Sequence, residues 1–208
     1  MARRIFDISP PLTPSLAVFP GDTPLTREVL LDHVRGDALT LSTLRATVHL
    51  GAHVDAESHY ASGGLTIDQE ALDRFVGTCE VMAVEAHPGE ALRPEQVRRV
   101  PRHPRVLFAT GTYPDPGRFE PSFSPLDPSL IDWLADAGVR LVGVDTPSVD
   151  ASDSKDLPSH LRCYARDVRI LEGLVLTQVP PGEYELIAVP LRLVGFDASP
   201  VRAILRSL

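Results

Sequence analysis

Three of the chain's seven histidines fall in one eleven-residue run, 49-HLGAHVDAESH-59, with Asp55 among them. Imidazole nitrogen and carboxylate oxygen are donors that suit zinc and neighbouring first-row metals. A polar surface strand with incidental histidines is the alternative, and this density of donors argues against it. A straight strand does not gather the groups. At a rise of about 3.3 Å per residue, His49 and His53 would stand ~13 Å apart, yet each must approach one zinc to about 2.0–2.1 Å. The chain must bend between them, and Gly51 is the residue that permits it. The expected arrangement is a strand, a sharp turn at Gly51 and a ligand-bearing loop. Three protein ligands around an open position make the catalytic kind of zinc site. A carboxylate has two oxygens, so Asp55 can also bridge two metals; spacing alone does not choose the further ligands among the chain's many acids.

His33, His87 and His103 are isolated in polar contexts and read as surface residues. Cys79 and Cys163 have no CxxC or zinc-finger spacing and read as small buried hydrophobes. No G-x-S-x-G elbow is present, so a serine-hydrolase route lacks its signature. Trp133 reads as a packing residue and Glu57 as a solvated loop charge.

The elements that must position these groups are set by periodicity and punctuation. Residues 5–9 form a short first strand. Leu44, Ala46, Val48 and Leu50 alternate with Arg45, Thr47 and His49, which predicts a half-buried strand with His49 on its polar face. Thr66 and Gln69 form a capping box before a helix that Gly77 ends. Strands are expected over 79–84, 106–110, 139–144 and 184–194, with a short helix over 94–100. Asp127 caps a helix with Pro128 in its first turn and Gly138 after its end. Residues 159–172 are compatible with helix or loop. Several strands join through loops too short for βαβ crossovers, which predicts a mixed sheet with helices, not a regular doubly wound fold.

The chain has 208 residues, 43% of them hydrophobic, enough for one large domain over 1–208 with a substantial core. Its net charge of −8 repels phosphate backbones and anionic membrane surfaces. No stretch approaches 18 apolar residues and no secretory signal follows the N-terminal arginines. With few cysteines, this gives a cytoplasmic expectation.

The run 49–59 resembles the H-x-G-x-H-x-D-x-x-x-H signature of the cyclase-like metal-dependent hydrolases. Further blocks, 7-DISPPLTP-14, 19-FPGDTP-24, 144-VDTPSVD-150, 154-SKDLPSH-160, 170-ILEGLVL-176 and 183-EYELIAVPLRLVGFDASPVRAILR-206, are similar to the bacterial kynurenine formamidase branch. The resemblance spans the chain nearly end to end. It implies a swivelling β/β/α domain of the α/β class and hydrolysis of N-formyl-L-kynurenine to L-kynurenine and formate. It also implies two zinc ions per subunit, with manganese or another divalent metal as an option, and a homodimer. His49, His53 and Asp55 would hold the first metal; Asp55 would bridge to the second, completed by His160 and Glu172. His59 matches the proton-transfer histidine. Phe19 stands where the family often has a substrate-contacting tryptophan, keeping a stacking face without the indole N–H. The segment 56-AES-58 lacks the proline usual there. The departure at Phe19 keeps open a cyclic amide or isatin-like substrate. A non-catalytic zinc protein is disfavoured, because structural sites are closed and cysteine-rich.

Overall fold

A computed structural model describes residues 3–208. Strand β1 (Ile5–Asp7) is followed by a hairpin of β2 (Thr26–Leu31) and β3 (Leu41–Arg45), then β4 (His53–Asp55), β5 (Val76–Ala83) and β6 (Arg105–Ala109). Helix α1 (Pro128–Asp136), β7 (Leu141–Val144), helix α2 (Pro158–Ala165) and β8 (Arg169–Glu172) come next. Strands β9 (Gly182–Ile187), β10 (Ala198–Pro200) and β11 (Ile204–Ser207) close the chain.

Among the described residues, one nine-stranded sheet has the order β1-β11-β9-β5-β6-β7-β8-β4-β10, and β2-β3 forms a separate ribbon. The four central strands β5 to β8 run parallel, and the flanking pairs are antiparallel. The expected mixed sheet is therefore present. Its parallel centre is buried on both faces, as near-continuous apolar strands require. Alternation divides the core: Val81, Leu107, Leu141 and Leu171 face one cluster, while Met82, Val106, Phe108, Val142 and Ile170 face the other. Leu130, Ile131 and Leu134 of α1 and Cys163 of α2 cover the second face. Trp133 packs beside that cluster, and both cysteines are buried thiols.

Several local expectations are corrected. The strand before the ligand run ends at Arg45, so His49 lies in a bend and not on a strand face. Both faces of the β2-β3 ribbon are largely exposed, and Leu44 points to solvent. The Thr66–Gln69 capping box forms, but it opens a single 3-10 turn, Ile67–Gln69. A second turn, Leu72–Arg74, leads directly into β5. Gly77 sits inside that strand, where a Cβ would meet the Arg105 guanidinium at 2.8 Å. The ambiguous 159–172 segment splits into α2 and β8. The last long expected strand stops at Ile187, before Pro190, which has no N–H for a ladder.

The turn at Gly51 is present, with φ of 59°. It leads into the short strand β4, not into a loop. Gly173, directly after β8, has φ of 67°, and a Cβ there would lie 2.1 Å from the Gly51 carbonyl oxygen. These two glycines let the chain before β4 and the end of β8 pack backbone to backbone. Gly173→Ala combines a left-handed strain with an overlap the backbone must absorb. It should destabilise by about 3 kcal/mol and lower the thermal midpoint by roughly 6–12 °C in calorimetry.

Candidate metal centre

Side-chain parity along two paired strands builds most of the site. In β4, Val54 points into one core cluster, so His53 and Asp55 share the opposite face. The antiparallel register sets His53 against Glu172 and Asp55 against Ile170. Ile170 belongs to the helix-covered cluster, so Glu172 faces the same side two residues on. Helix α2 supplies His160 from its first turn. His49 enters from the bend before Gly51, and His59 ends the 3-10 turn Glu57–His59 after β4. Residues scattered over 49–172 thus converge on one buried carboxylate.

Asp55 is fully buried. Its Oδ1 lies 3.1 Å from His49 Nδ1 and 3.4 Å from His53 Nε2, and its Oδ2 lies 3.3 Å from His160 Nε2. None of these contacts has hydrogen-bond geometry, and both Asp55 oxygens are buried without a donor. Glu172 adds a second carboxylate: Oε2 stands 3.2 Å from His53 Nε2 and Oε1 3.6 Å from His160 Nε2. Donor atoms of His49, His53 and Asp55 lie within 4.8 Å of one another, as do those of Asp55, His59 and His160. Glu172 joins the two groups through His53 and His160. All six residues named from the sequence as ligands or proton carrier are therefore brought together.

The rings are oriented from behind. His53 Nδ1 is 2.9 Å from the Gly51 carbonyl oxygen, to which it donates, leaving Nε2 for the site. His160 Nδ1 is 2.7 Å from Asp150 Oδ2. A carboxylate or carbonyl holding the far nitrogen of a ligating histidine is the usual outer support of a metal site. Asp150 also accepts the backbone N–H groups of Ser159 and His160, so it caps the α2 N-terminus. Glu172 Oε1 accepts the Val149 N–H at 2.7 Å.

The charges reflect this crowding. Burial pushes His49 down, but the Asp55 carboxylate outweighs it and raises the ring to about 9. Burial opposes protonation of His160 too, yet Asp150 and Asp55 hold it up at about 10. Burial raises Asp55, while the His160 and His49 rings carry it well below the usual carboxylate range. His59 behaves differently: burial, helped by the nearby His49 and His160 and opposed by Asp55, lowers it. His59 is thus lowered where His49 and His160 are raised.

A cavity of about 500 Å³ opens over these groups and is lined by His49, His53, His59, His160 and Glu172. Its far wall includes Phe19, Tyr113 and Phe119. Phe19 and Phe119 meet edge to face with ring centroids 5.0 Å apart. Phe19 accordingly lines the cavity that opens over the histidines.

Two acids at the site carry no signal in the sequence. Asp150 and Asp197 lie within 144-VDTPSVD-150 and 183-EYELIAVPLRLVGFDASPVRAILR-206, but isolated aspartates have no diagnostic spacing. Glu57 departs from the expectation of a solvated charge: its side chain is only 13% exposed. It pairs with the buried Arg169 at 2.9 Å and accepts the Leu65 N–H, fixing the turn that carries His59. Arg169 also reaches Glu70 at 2.6 Å, so the buried guanidinium is fully engaged. His33 and His87 are exposed, as read from sequence, while His103 is partly buried, 3.5 Å from Glu183.

The Cyclase family model matches residues 6–151. A kynurenine formamidase of Bordetella petrii is 43% identical over 209 residues, covering 99% of both chains. Among solved structures, one described as a predicted metal-dependent hydrolase from Bacillus stearothermophilus superposes with a TM-score of 0.84 at 27% identity, over the whole of both chains. Isatin hydrolase A from Labrenzia aggregata gives 0.83 at 26%, covering 99% of this chain and 94% of that one. A chain with this signature, this site and full-length similarity of this order belongs to the cyclase family, in its bacterial kynurenine formamidase branch.

Proposed function

We propose that the chain is a metal-dependent arylformamidase that hydrolyses N-formyl-L-kynurenine to L-kynurenine and formate. The observation that carries this reading is Asp55, a fully buried carboxylate with no hydrogen-bond donor, ringed by imidazoles. Such a group is costly unless a cation compensates it, and the donor set of His, Asp and Glu fits a divalent metal. Oδ1 faces His49 and His53 while Oδ2 faces His160, which supports a bridge between two ions, zinc by preference. His49, His53 and Asp55 would hold one; Asp55, His160 and Glu172 the other. Metals bound there would lower the pKa of water toward about 7 and polarise a carbonyl.

The remaining chemistry belongs to the chain. Phe19, held edge to face against Phe119, offers the substrate's aromatic ring an apolar wall. His59, which burial favours in its neutral form, takes the proton from the attacking water. As the C–N bond breaks, the electron pair goes to the aniline nitrogen and His59 returns the proton there. Asp150 keeps the His160 ring fixed throughout. Glu57 and Arg169 hold the His59 turn against the sheet.

A second reading keeps the site and changes the substrate to a cyclic amide. It is favoured by the similarity to isatin hydrolase A and by a phenylalanine at position 19. The expected homodimer has a candidate contact in the exposed apolar residues Leu30, Val34 and Leu44 of the β2-β3 arm. A single species of twice the chain mass in light scattering would bear it out.

Zinc-loaded protein should release kynurenine from N-formyl-L-kynurenine, and a chelated sample should not. Turnover of isatin alone would favour the second reading. His59→Ala should retain its metal by elemental analysis while kcat falls by about 10²–10⁴-fold; metal loss would make His59 a ligand, as its closeness to Asp55 and His160 allows. Asp55→Ala should lose both metals, and loss of only one would refute the bridge.

A further inference from the structure

Asp197 stands in front of the site, and nothing in the proposed reaction uses it. Its backbone is tied to the site strand. The Asp197 carbonyl accepts the Ala56 N–H at 2.9 Å, and the next residue, Ala198, pairs with Asp55 in the β10-β4 ladder. The Phe196 carbonyl accepts the Ile67 N–H at 2.9 Å, and the Gly195 N–H donates to Asp68. Position 197 is therefore set by the same ladder that sets Asp55, on a chain segment about 140 residues away in sequence.

The side chain faces two rings with one oxygen. Asp197 Oδ2 is 3.0 Å from His49 Nε2 and 3.6 Å from His59 Nδ1. Those rings are neighbours, with centroids 4.2 Å apart. His49 presents its other nitrogen, Nδ1, to Asp55. The 3.6 Å approach to His59 is longer than a hydrogen bond, in the manner of catalytic contacts that tighten once substrate is in place. A neutral imidazole carries its proton on one nitrogen, and a carboxylate beside that nitrogen decides which. With the proton held on Nδ1, the Nε2 lone pair of His59 is the one free to accept a proton.

We propose that Asp197 is a positioning residue that fixes His59 as the Nδ1–H tautomer and steadies His49 through Nε2. It would thereby tie the proton-carrying ring to a ring of the metal set. The inference rests on the function proposed above for His59 and His49. A competing arrangement exists, because donor atoms of His49, His59 and Asp197 also lie within 4.8 Å of one another and could take a cation themselves.

The test uses the zinc-loaded full chain with Asp197→Asn and Asp197→Ala. The side chain is 47% exposed, so both variants should fold, with thermal midpoints within roughly 2 °C of the parent. Histidine side-chain ¹⁵N NMR should show His59 protonated on Nδ1 in the parent and shifted toward Nε2–H in both variants. The kcat for N-formyl-L-kynurenine should fall by about 10–100-fold with KM nearly unchanged, and zinc affinity in chelator competition should weaken by about 10-fold with stoichiometry kept. An unchanged tautomer with kcat within twofold of the parent would overturn the proposal. So would loss of a zinc equivalent, which would make Asp197 a ligand. If the parent itself turns over no formamide, the proposed function fails, while the NMR comparison still decides the tautomer.

Discussion

The structure turns on one buried carboxylate that its own fold leaves unsatisfied. Asp55 sits in the sheet with no hydrogen-bond donor, and the side chains around it are imidazoles and a second acid. An ionised carboxylate placed so is expensive unless positive charge is supplied. Without metal, the nearest source is protons on His49 and His160: against the effect of burial, Asp55 raises His49 to about 9, and Asp150 together with Asp55 raises His160 to about 10. A divalent cation bound as proposed would displace those protons and satisfy the acids directly. On the proposed reading, the apparent electrostatic defect specifies a binding site.

The architecture exists to hold that arrangement still. The β4-β8 register brings His53 and Asp55 to Glu172, the β10-β4 register brings Asp197, and α2 is anchored by Asp150 so that His160 cannot swing. Close backbone packing at Gly51 and Gly173 brings the bend carrying His49 against the end of β8. A fully buried parallel centre gives these short edge elements a rigid base. Sites built this way need little reorganisation, because His53 and His160 are fixed from their far nitrogens before anything binds.

Much of this is legible in the sequence where local chemistry is dense. The donors in 49–59 and the bend at Gly51 follow from ligand distances alone. The Asp127–Pro128 start and Gly138 stop of α1 follow from capping. Periodicity misjudges length and context. The alternation at 44–50 mimics a strand, yet the chain must leave the β2-β3 arm there to bring His49 back to Asp55. The capping box at Thr66 is real but opens one turn only, since the chain is soon recruited into β5. Glu57 looks like a loop charge because its partner, Arg169, lies more than a hundred residues on. Asp150 and Asp197 give no local signal for the same reason: their roles come from pairing distant strands and a helix end. His160 and Glu172 are reached only through resemblance.

The most direct test is a crystal structure of the zinc-soaked protein with anomalous scattering at the zinc edge. The account predicts two peaks per chain, one among His49, His53 and Asp55 and one among Asp55, His160 and Glu172. Each should lie about 2.0–2.2 Å from a different Asp55 oxygen. A single peak, or peaks that leave Asp55 contacted by histidines alone, would contradict it.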